Sequence, residues 1–175
     1  MDARGMSSDK PRLSNNRVRS ATPSDAGDVA RIYIDSWNKG FGKLLPHREL
    51  TPQDVALWRG DISKGEPHRW WVMELSGIVA GFAGICPSRD PIDPALGELD
   101  TIAVDPIYWR MGIGRELMSI TLRYLASDGY QEAILWTLAD YPRGQRFYEA
   151  TGWRLDGGMR KDGTQLRYRH SLSGC

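Results

Sequence analysis

The residues Arg110-Met111-Gly112-Ile113-Gly114-Arg115 have the types and spacing to hold an anion. An apolar run at 101–104, closed by Asp105-Pro106, comes just before them, and a helical pattern follows from Gly114. Free N–H groups of such a turn and of the first helical residues point at one place, and the helix dipole adds positive potential there. Gly112 and Gly114 let a phosphate approach the backbone without meeting a Cβ. Arg110 and Arg115 add charge at the mouth, so the chemistry that fits is the binding of a pyrophosphate. A dinucleotide fingerprint is excluded, because Leu117 stands where its third glycine belongs. A P-loop is excluded too, because Gly-Lys-Ser/Thr is absent. The bland alternative is a glycine turn that only caps a helix.

Such a turn needs a strand before it, a helix after it and a sheet to fix both. Residues 18–21 suit a short first strand. Thr22-Pro23-Ser24-Asp25 reads as a helix start: N-cap, Pro at the first position, acid in the first turn. Ala26, Val29, Ala30, Tyr33, Trp37 and Phe41 then recur at helical steps. Thr51-Pro52-Gln53-Asp54 repeats the signal, and Val55, Leu57, Trp58 and Ile62 predict a second helix. Strands are predicted at 70–75 and 78–85 around Ser76-Gly77. Residues 87–94, rich in Pro and Asp, read as a loop, and 96–104 as the next strand. A helix at 114–127, a buried strand at 133–138 and a short helix at 143–150 follow. Strands at 153–155 and 166–170, around an Asp156-Gly157-Gly158 turn, close the chain. The order predicts a mixed α/β sheet with helices on its faces.

This sequence resembles the GNAT superfamily of N-acetyltransferases. There, a strand ending in Val-x-Pro leads into Gln/Arg-x-x-Gly-x-Gly/Ala. Here the counterparts are Thr101-Ile102-Ala103-Val104, Pro106, Gly112 and Gly114. The family turn begins with Gln or Arg. This chain has Trp109 there, and Arg110 one residue later. The segment from Arg146-Phe147-Tyr148 to Gly152-Trp153 is similar to the family's Phe-Tyr-x-x-x-Gly-Phe/Trp. Tyr141 occupies the place of a cofactor-contacting Asn, so that contact is not carried over. Residues 32–46, with Ser36-Trp37 and Leu44-Leu45-Pro46, resemble the substrate-side helices of bacterial members. The likeness covers 18–172.

The resemblance implies a GNAT-type single domain: a mixed central β-sheet flanked by helices, with central strands splayed where the cofactor enters. It implies acetyl-CoA as co-substrate. The pantetheine arm would bond along Ile102, Ala103 and Val104, and the pyrophosphate would lie on Arg110, Met111, Gly112, Ile113, Gly114 and Arg115. It implies direct acetyl transfer to a primary amine of a small-molecule or protein acceptor. That reaction needs a base for the ammonium, a donor to the oxyanion and an acid for the thiolate. The resemblance puts the oxyanion donor near Val104. Tyr148 is the candidate acid, at the family's Tyr position. Glu98 is the candidate base, alone or through water, with Asp100 as the alternate. Period-two alternation would give Glu98, Asp100, Ile102 and Val104 one face. Against these stand a packing Tyr and solvent-facing carboxylates. A non-catalytic acyl-CoA-binding or sensor domain is the functional alternative, and an ATP-binding protein a further one. Homodimers are common in the family.

The remaining features exclude more than they assign. The chain has 175 residues and a net charge of +1, which suits one domain and makes no case for nucleic acid or an acidic membrane surface. Cys86 and Cys175 are too few for a disulfide framework. No apolar run approaches the roughly 18 residues of a membrane span, and no secretory h-region precedes the fold. A cytoplasmic protein is expected. His47, His68 and His170 lack metal-ligand spacing, so no metal is expected. Residues 1–16 are expected to be a disordered tail, 17–172 the acetyltransferase domain and 173–175 a C-terminal tail. Tyr33 and Trp37 read as core, with Trp37 lining an acceptor pocket as the alternative. Arg160-Lys161, Arg167 and Arg169 read as a solvated hairpin face.

Overall fold

The computed structural model describes residues 16–173. Of the expected N-terminal tail, 1–15 lie outside the described residues, while Asn16 opens the first strand. Residues 174 and 175 of the expected C-terminal tail also lie outside them.

Seven strands form one sheet: β1 (Asn16–Ser20), β2 (Arg69–Leu75), β3 (Ile78–Arg89), β4 (Ile92–Val104), β5 (Glu132–Leu138), β6 (Arg154–Arg160) and β7 (Gln165–Ser171). Their spatial order is β1-β2-β3-β4-β5-β7-β6. All neighbours are antiparallel except β4 and β5, which run parallel. The helices are α1 (Ala26–Phe41), α2 (Pro52–Ile62), α3 (Ile113–Ser127) and α4 (Pro142–Glu149). The predicted mixed sheet and element order are therefore present. No helix among the described residues is long and apolar enough to cross a membrane.

The helices start where the sequence signals them. Thr51 accepts from the Asp54 N–H at 3.2 Å, and the Asp54 carboxylate accepts from the Thr51 N–H at 2.9 Å, a reciprocal cap for α2. Before α1, the Thr22 N–H donates to Asp25 at 2.7 Å across a turn of 3-10 helix. On one face of the sheet α3 packs Met118 and Leu125 against Trp71, Leu99 and Leu135. On the other, Val29 and Ile32 of α1 pack against Trp70, Val72 and Phe82. Trp70 and Trp71 thus go to opposite faces, and both are buried.

Three expectations need correction. Residues 87–94 are not a loop: β3 and β4 extend as a hairpin arm, with Arg89 opposite Ile92 and Pro87 opposite Gly97. β2 leaves β3 at Ile85, and β5 pairs β4 only from Leu96 to Glu98. The arm's outer edges are therefore unpaired among the described strands, and a proline there breaks no ladder. Next, Asp156-Gly157-Gly158 is a bulge inside β6, with the register shifting between Leu155 and Met159. The Asp156 carboxylate accepts from the Gly158 N–H at 2.9 Å and binds Arg167 and Arg169, which holds the bulge. The reversal comes later, where Lys161, Asp162 and Gly163 all have positive φ.

The third correction bears on the site. Gly84 pairs with Thr101 but Ile85 pairs with Leu99, so Asp100 is an extra residue in β4. A bulge shifts the alternation by one. Leu99, Ile102 and Val104 consequently pack on the α3 side, while Ala103 packs on the α1 side. Glu98 and Asp100 do share a neighbourhood, since one guanidinium binds both. They do not share a face with Ile102 and Val104.

Candidate active site

β4 and β5 pair only from Leu96 to Glu98 against Glu132 to Ile134. Beyond that the two strands diverge, and a cavity of about 690 Å³ opens between them. α1, β4, β5, α4 and the glycine turn all line it. The Asp105 N–H donates to the Ala80 carbonyl at 2.9 Å, which makes Asp105 and Ala80 a hydrogen-bonded pair. Antiparallel pairs alternate, so Val104 opposite Gly81 and Ile102 opposite Ala83 are the non-hydrogen-bonded ones. Their N–H and C=O groups point away from β3, into the gap. Ala103 lines the cavity as expected, but its backbone groups belong to the pair with Phe82.

The glycine turn sits at one end of that gap. Asp105 fixes its approach: the buried carboxylate accepts from the Ile107 N–H at 3.1 Å and from Arg31 of α1 at 2.7 Å. The turn then needs left-handed backbone twice, at Arg110 (φ 67°) and Gly112 (φ 88°). Gly112 is required for that φ, and a Cβ on it would meet no protein atom within 4 Å. Gly114 serves a different purpose from the one its spacing suggests. A Cβ there would lie 3.3 Å from the Phe147 ring, so this glycine lets α4 close on α3. Among the described residues, the N–H groups of Met111, Gly112, Ile113 and Gly114 make no hydrogen bond, whereas that of Arg115 returns to the Gly112 carbonyl at 3.0 Å. Arg110, Gly112, Ile113, Gly114 and Arg115 all line the cavity; the Met111 side chain turns outward, 48% exposed. Unpaired N–H groups at a helix start, with two guanidiniums beside them, fit an anion.

Trp109 fills the position where the family turn has Gln or Arg. Its indole N–H donates to the Val104 carbonyl at 2.7 Å. The Arg143 guanidinium lies 3.6 Å from the centre of its ring. Trp109 thus ties the end of β4 to the turn and leaves the Val104 N–H directed into the gap.

The acid–base residues come together in the same cavity. Tyr148 lines it from α4, and burial pushes its phenol well above the ordinary range. Glu98 is buried and fully engaged: Oε1 accepts from Arg89 Nη2 at 2.8 Å and Oε2 from the Arg89 N–H at 3.0 Å. Asp100 has one such contact, at 3.0 Å from Arg89 Nη2. Burial raises its carboxyl above the usual range, against the lowering effect of Arg89. Cys86 is no nucleophile, because burial pushes its thiol up to about 12.

The wall that α1 provides is aromatic. Tyr33, Trp37, Phe41 and Tyr141 form a chain with ring centroids 6.1, 5.1 and 4.4 Å apart. Trp37 therefore lines the pocket, the alternative to its core reading. Across the gap, Trp136 of β5 lies under Arg160 of β6, whose guanidinium is 4.3 Å from the ring centre. Arg160 lines the cavity, so it is not on a solvated face as expected. The indole nitrogens of Trp37 and Trp136 are buried without a partner among the described residues. Arg89, Trp136, Tyr141 and Arg160 are the residues that sequence reasoning missed. Arg89, Trp136 and Arg160 lie on three different strands and Tyr141 just before α4, and no spacing links them. Among the described residues, no group of three or more His, Cys, Asp or Glu is placed to hold a metal ion.

The family model described as Acetyltransferase (GNAT) family matches residues 28–153. The uncharacterized N-acetyltransferase YuaI of Bacillus subtilis is 27% identical over 137 residues, 76% of this chain and 77% of that protein. Phosphinothricin N-acetyltransferase of Streptomyces viridochromogenes is 25% identical over 159 residues, 87% of this chain and 80% of that protein. The crystal structure of PaiA N-acetyltransferase from Thermoplasma acidophilum, in complex with coenzyme A, shares the fold. Its TM-score is 0.73 at 15% identity, over 90% of this chain and 99% of that one.

Proposed function

The chain belongs to the acetyltransferase (GNAT) family, and from that premise we propose that it transfers an acetyl group from acetyl-CoA to a primary amine. The observation that carries this reading is the gap itself. It joins unpaired N–H groups at the start of α3 to the free edge of β4, and beyond that edge to a buried carboxylate and a phenol. The related PaiA structure, a complex with coenzyme A, supports the same choice of co-substrate.

Acetyl-CoA supplies the activated acyl group as a thioester. The N–H groups of Met111 to Gly114, with Arg110 and Arg115, hold its pyrophosphate. Ile102 and Val104 present their backbone groups to the pantetheine arm in the manner of an added strand. The Val104 N–H, steadied by the Trp109 bond to the same residue's carbonyl, donates to the carbonyl oxygen as negative charge grows there.

Asp100 is the base in this proposal, and Glu98 the residue that fixes Arg89. Both Glu98 oxygens are occupied, while Asp100 keeps a free oxygen and burial raises its carboxyl above the usual range. Asp100 takes one proton from the ammonium, which frees the nitrogen lone pair to attack; once the C–N bond has formed, the adduct nitrogen loses a second proton, which restores the one Tyr148 gives up. As the C–S bond breaks, the Tyr148 O–H is offered to the departing sulfur. Its raised pKa keeps that proton in place through the neutral range.

The test follows thiol release from acetyl-CoA with a panel of amines. Amine-dependent release is expected, and Tyr148→Phe should lower kcat about a hundredfold while leaving acetyl-CoA affinity unchanged. Equal kcat in the variant would contradict the role of Tyr148, and no release with any amine would contradict the reading.

A further inference from the structure

The acceptor half of the cavity carries two opposite charges: one on β4, and one on an arginine of the edge strand β6 whose guanidinium reaches over Trp136 of β5, on the other side of the gap. On β4, Glu98 and Asp100 share one guanidinium, so this corner keeps a net negative charge. On the far side Arg160 is in the reverse situation. Only its Nε makes a hydrogen bond among the described residues, to Gln165 Oε1 at 2.6 Å. The carboxylate nearest its other nitrogens is Asp90, 3.7 Å away and beyond hydrogen-bond length. Its side chain is only 31% exposed, and stacking on Trp136 holds its plane against the cavity wall. A half-buried guanidinium with its fork unused is a receptor for a carboxylate or similar oxyanion.

Building on the acetyl-transfer reading above, we infer that Arg160 is the specificity residue for an acceptor with an acidic group next to its amine, a free amino acid with an apolar side chain. The ammonium faces Asp100, the base. The acid group faces the Nη donors of Arg160. The side chain lies on the aromatic wall of Tyr33, Trp37 and Phe41. A neutral amine or a polyamine offers no oxyanion to the Nη donors of Arg160, whose ion pair with Asp90 is 3.7 Å long. A lysine side chain in a protein carries no acidic group near its amine, so it does not satisfy both ends.

The experiment compares amino acids with their decarboxylated amines, phenylalanine against phenethylamine and tryptophan against tryptamine. It uses the full chain and saturating acetyl-CoA. The wild type should favour the amino acid in kcat/KM by about tenfold or more, the range of a charge-assisted pair. Arg160→Met keeps a long stem over Trp136 and removes the charge. It should raise KM for the amino acids about tenfold, leave KM for acetyl-CoA and for the amines alone, and bring the two classes level. Arg160→Lys should restore part of the preference. Amines used as well as the amino acids would overturn the inference and leave the acetyl-transfer reading standing. So would an equal loss for both classes in Arg160→Met. Acetyl-CoA binding with no acetylation of any amino acid would also overturn it. Failure to bind acetyl-CoA at all would overturn the reading itself and this inference with it.

Discussion

The two halves of the cavity are built by different means. The half at the glycine turn is backbone: N–H groups of consecutive residues, the free edge of β4 and one left-handed glycine. The half under α1 is side chain: Tyr33, Trp37, Arg89, Asp100, Trp136 and Arg160, drawn from α1, β3, β4, β5 and β6. A backbone site depends on the local path of the chain, and its sequence is short and contiguous. A side-chain site depends on where distant elements meet, and it can change residue by residue while the fold stands. One scaffold can therefore keep one co-substrate and take many acceptors.

Substitutions in each half should separate those two jobs. The largest effect is expected at Asp100. Asp100→Asn should lower kcat about a hundredfold with acetyl-CoA affinity intact. In the wild type, kcat/KM should rise with pH as the Asp100 carboxyl ionises. That limb should sit above the usual carboxylate range, because burial lifts the pKa. Asp100→Asn should abolish the limb. A limb unchanged in the variant would hand the base to another group.

Trp109→Phe should have a smaller effect, and on the other half. Losing one neutral hydrogen bond of about 1 kcal/mol should raise KM for acetyl-CoA about fivefold. KM for the acceptor should stay as it was. If the acceptor KM moved instead, the division between halves would fail.

The smallest effect is expected at Gly114→Ala. The added Cβ presses on Phe147 at 3.3 Å, while a helix gains about 1 kcal/mol from Ala over Gly. The two nearly cancel, so Tm should move by no more than a few degrees. A displaced Phe147 disturbs Tyr148 beside it, and kcat should fall about twofold. A large loss of acetyl-CoA affinity would mean that Gly114 serves phosphate approach after all.

The same contrast explains what the sequence disclosed. The strand, turn and helix from 101 to 127 were legible because their signals are local: Asp105-Pro106, two glycines and a helical apolar stripe. The splay of β4 and β5 agreed with the resemblance. The bulge at Asp100 was hidden. An inserted residue leaves no compositional mark, and it moves Ile102 and Val104 to the other face from the two carboxylates. Arg160 was hidden for a related reason. The Asp156-Gly157-Gly158 run looks like a turn, yet Asp156, Arg167 and Arg169 hold it as a bulge in β6. The strand therefore continues to Arg160, which reaches Trp136. Strand register settles both questions, and it is defined only once the partner strand is in place.

The central claim is that the backbone at Met111 to Gly114 binds the co-substrate. Calorimetric titration of the wild type and Gly112→Asp with acetyl-CoA tests it most directly. The variant strains the left-handed φ of 88° and puts a carboxylate where the phosphates would lie. The account predicts saturable one-site binding by the wild type, with affinity reduced at least about a hundredfold in the variant. No binding by the wild type up to millimolar acetyl-CoA would contradict it, as would equal affinity in a folded Gly112→Asp protein.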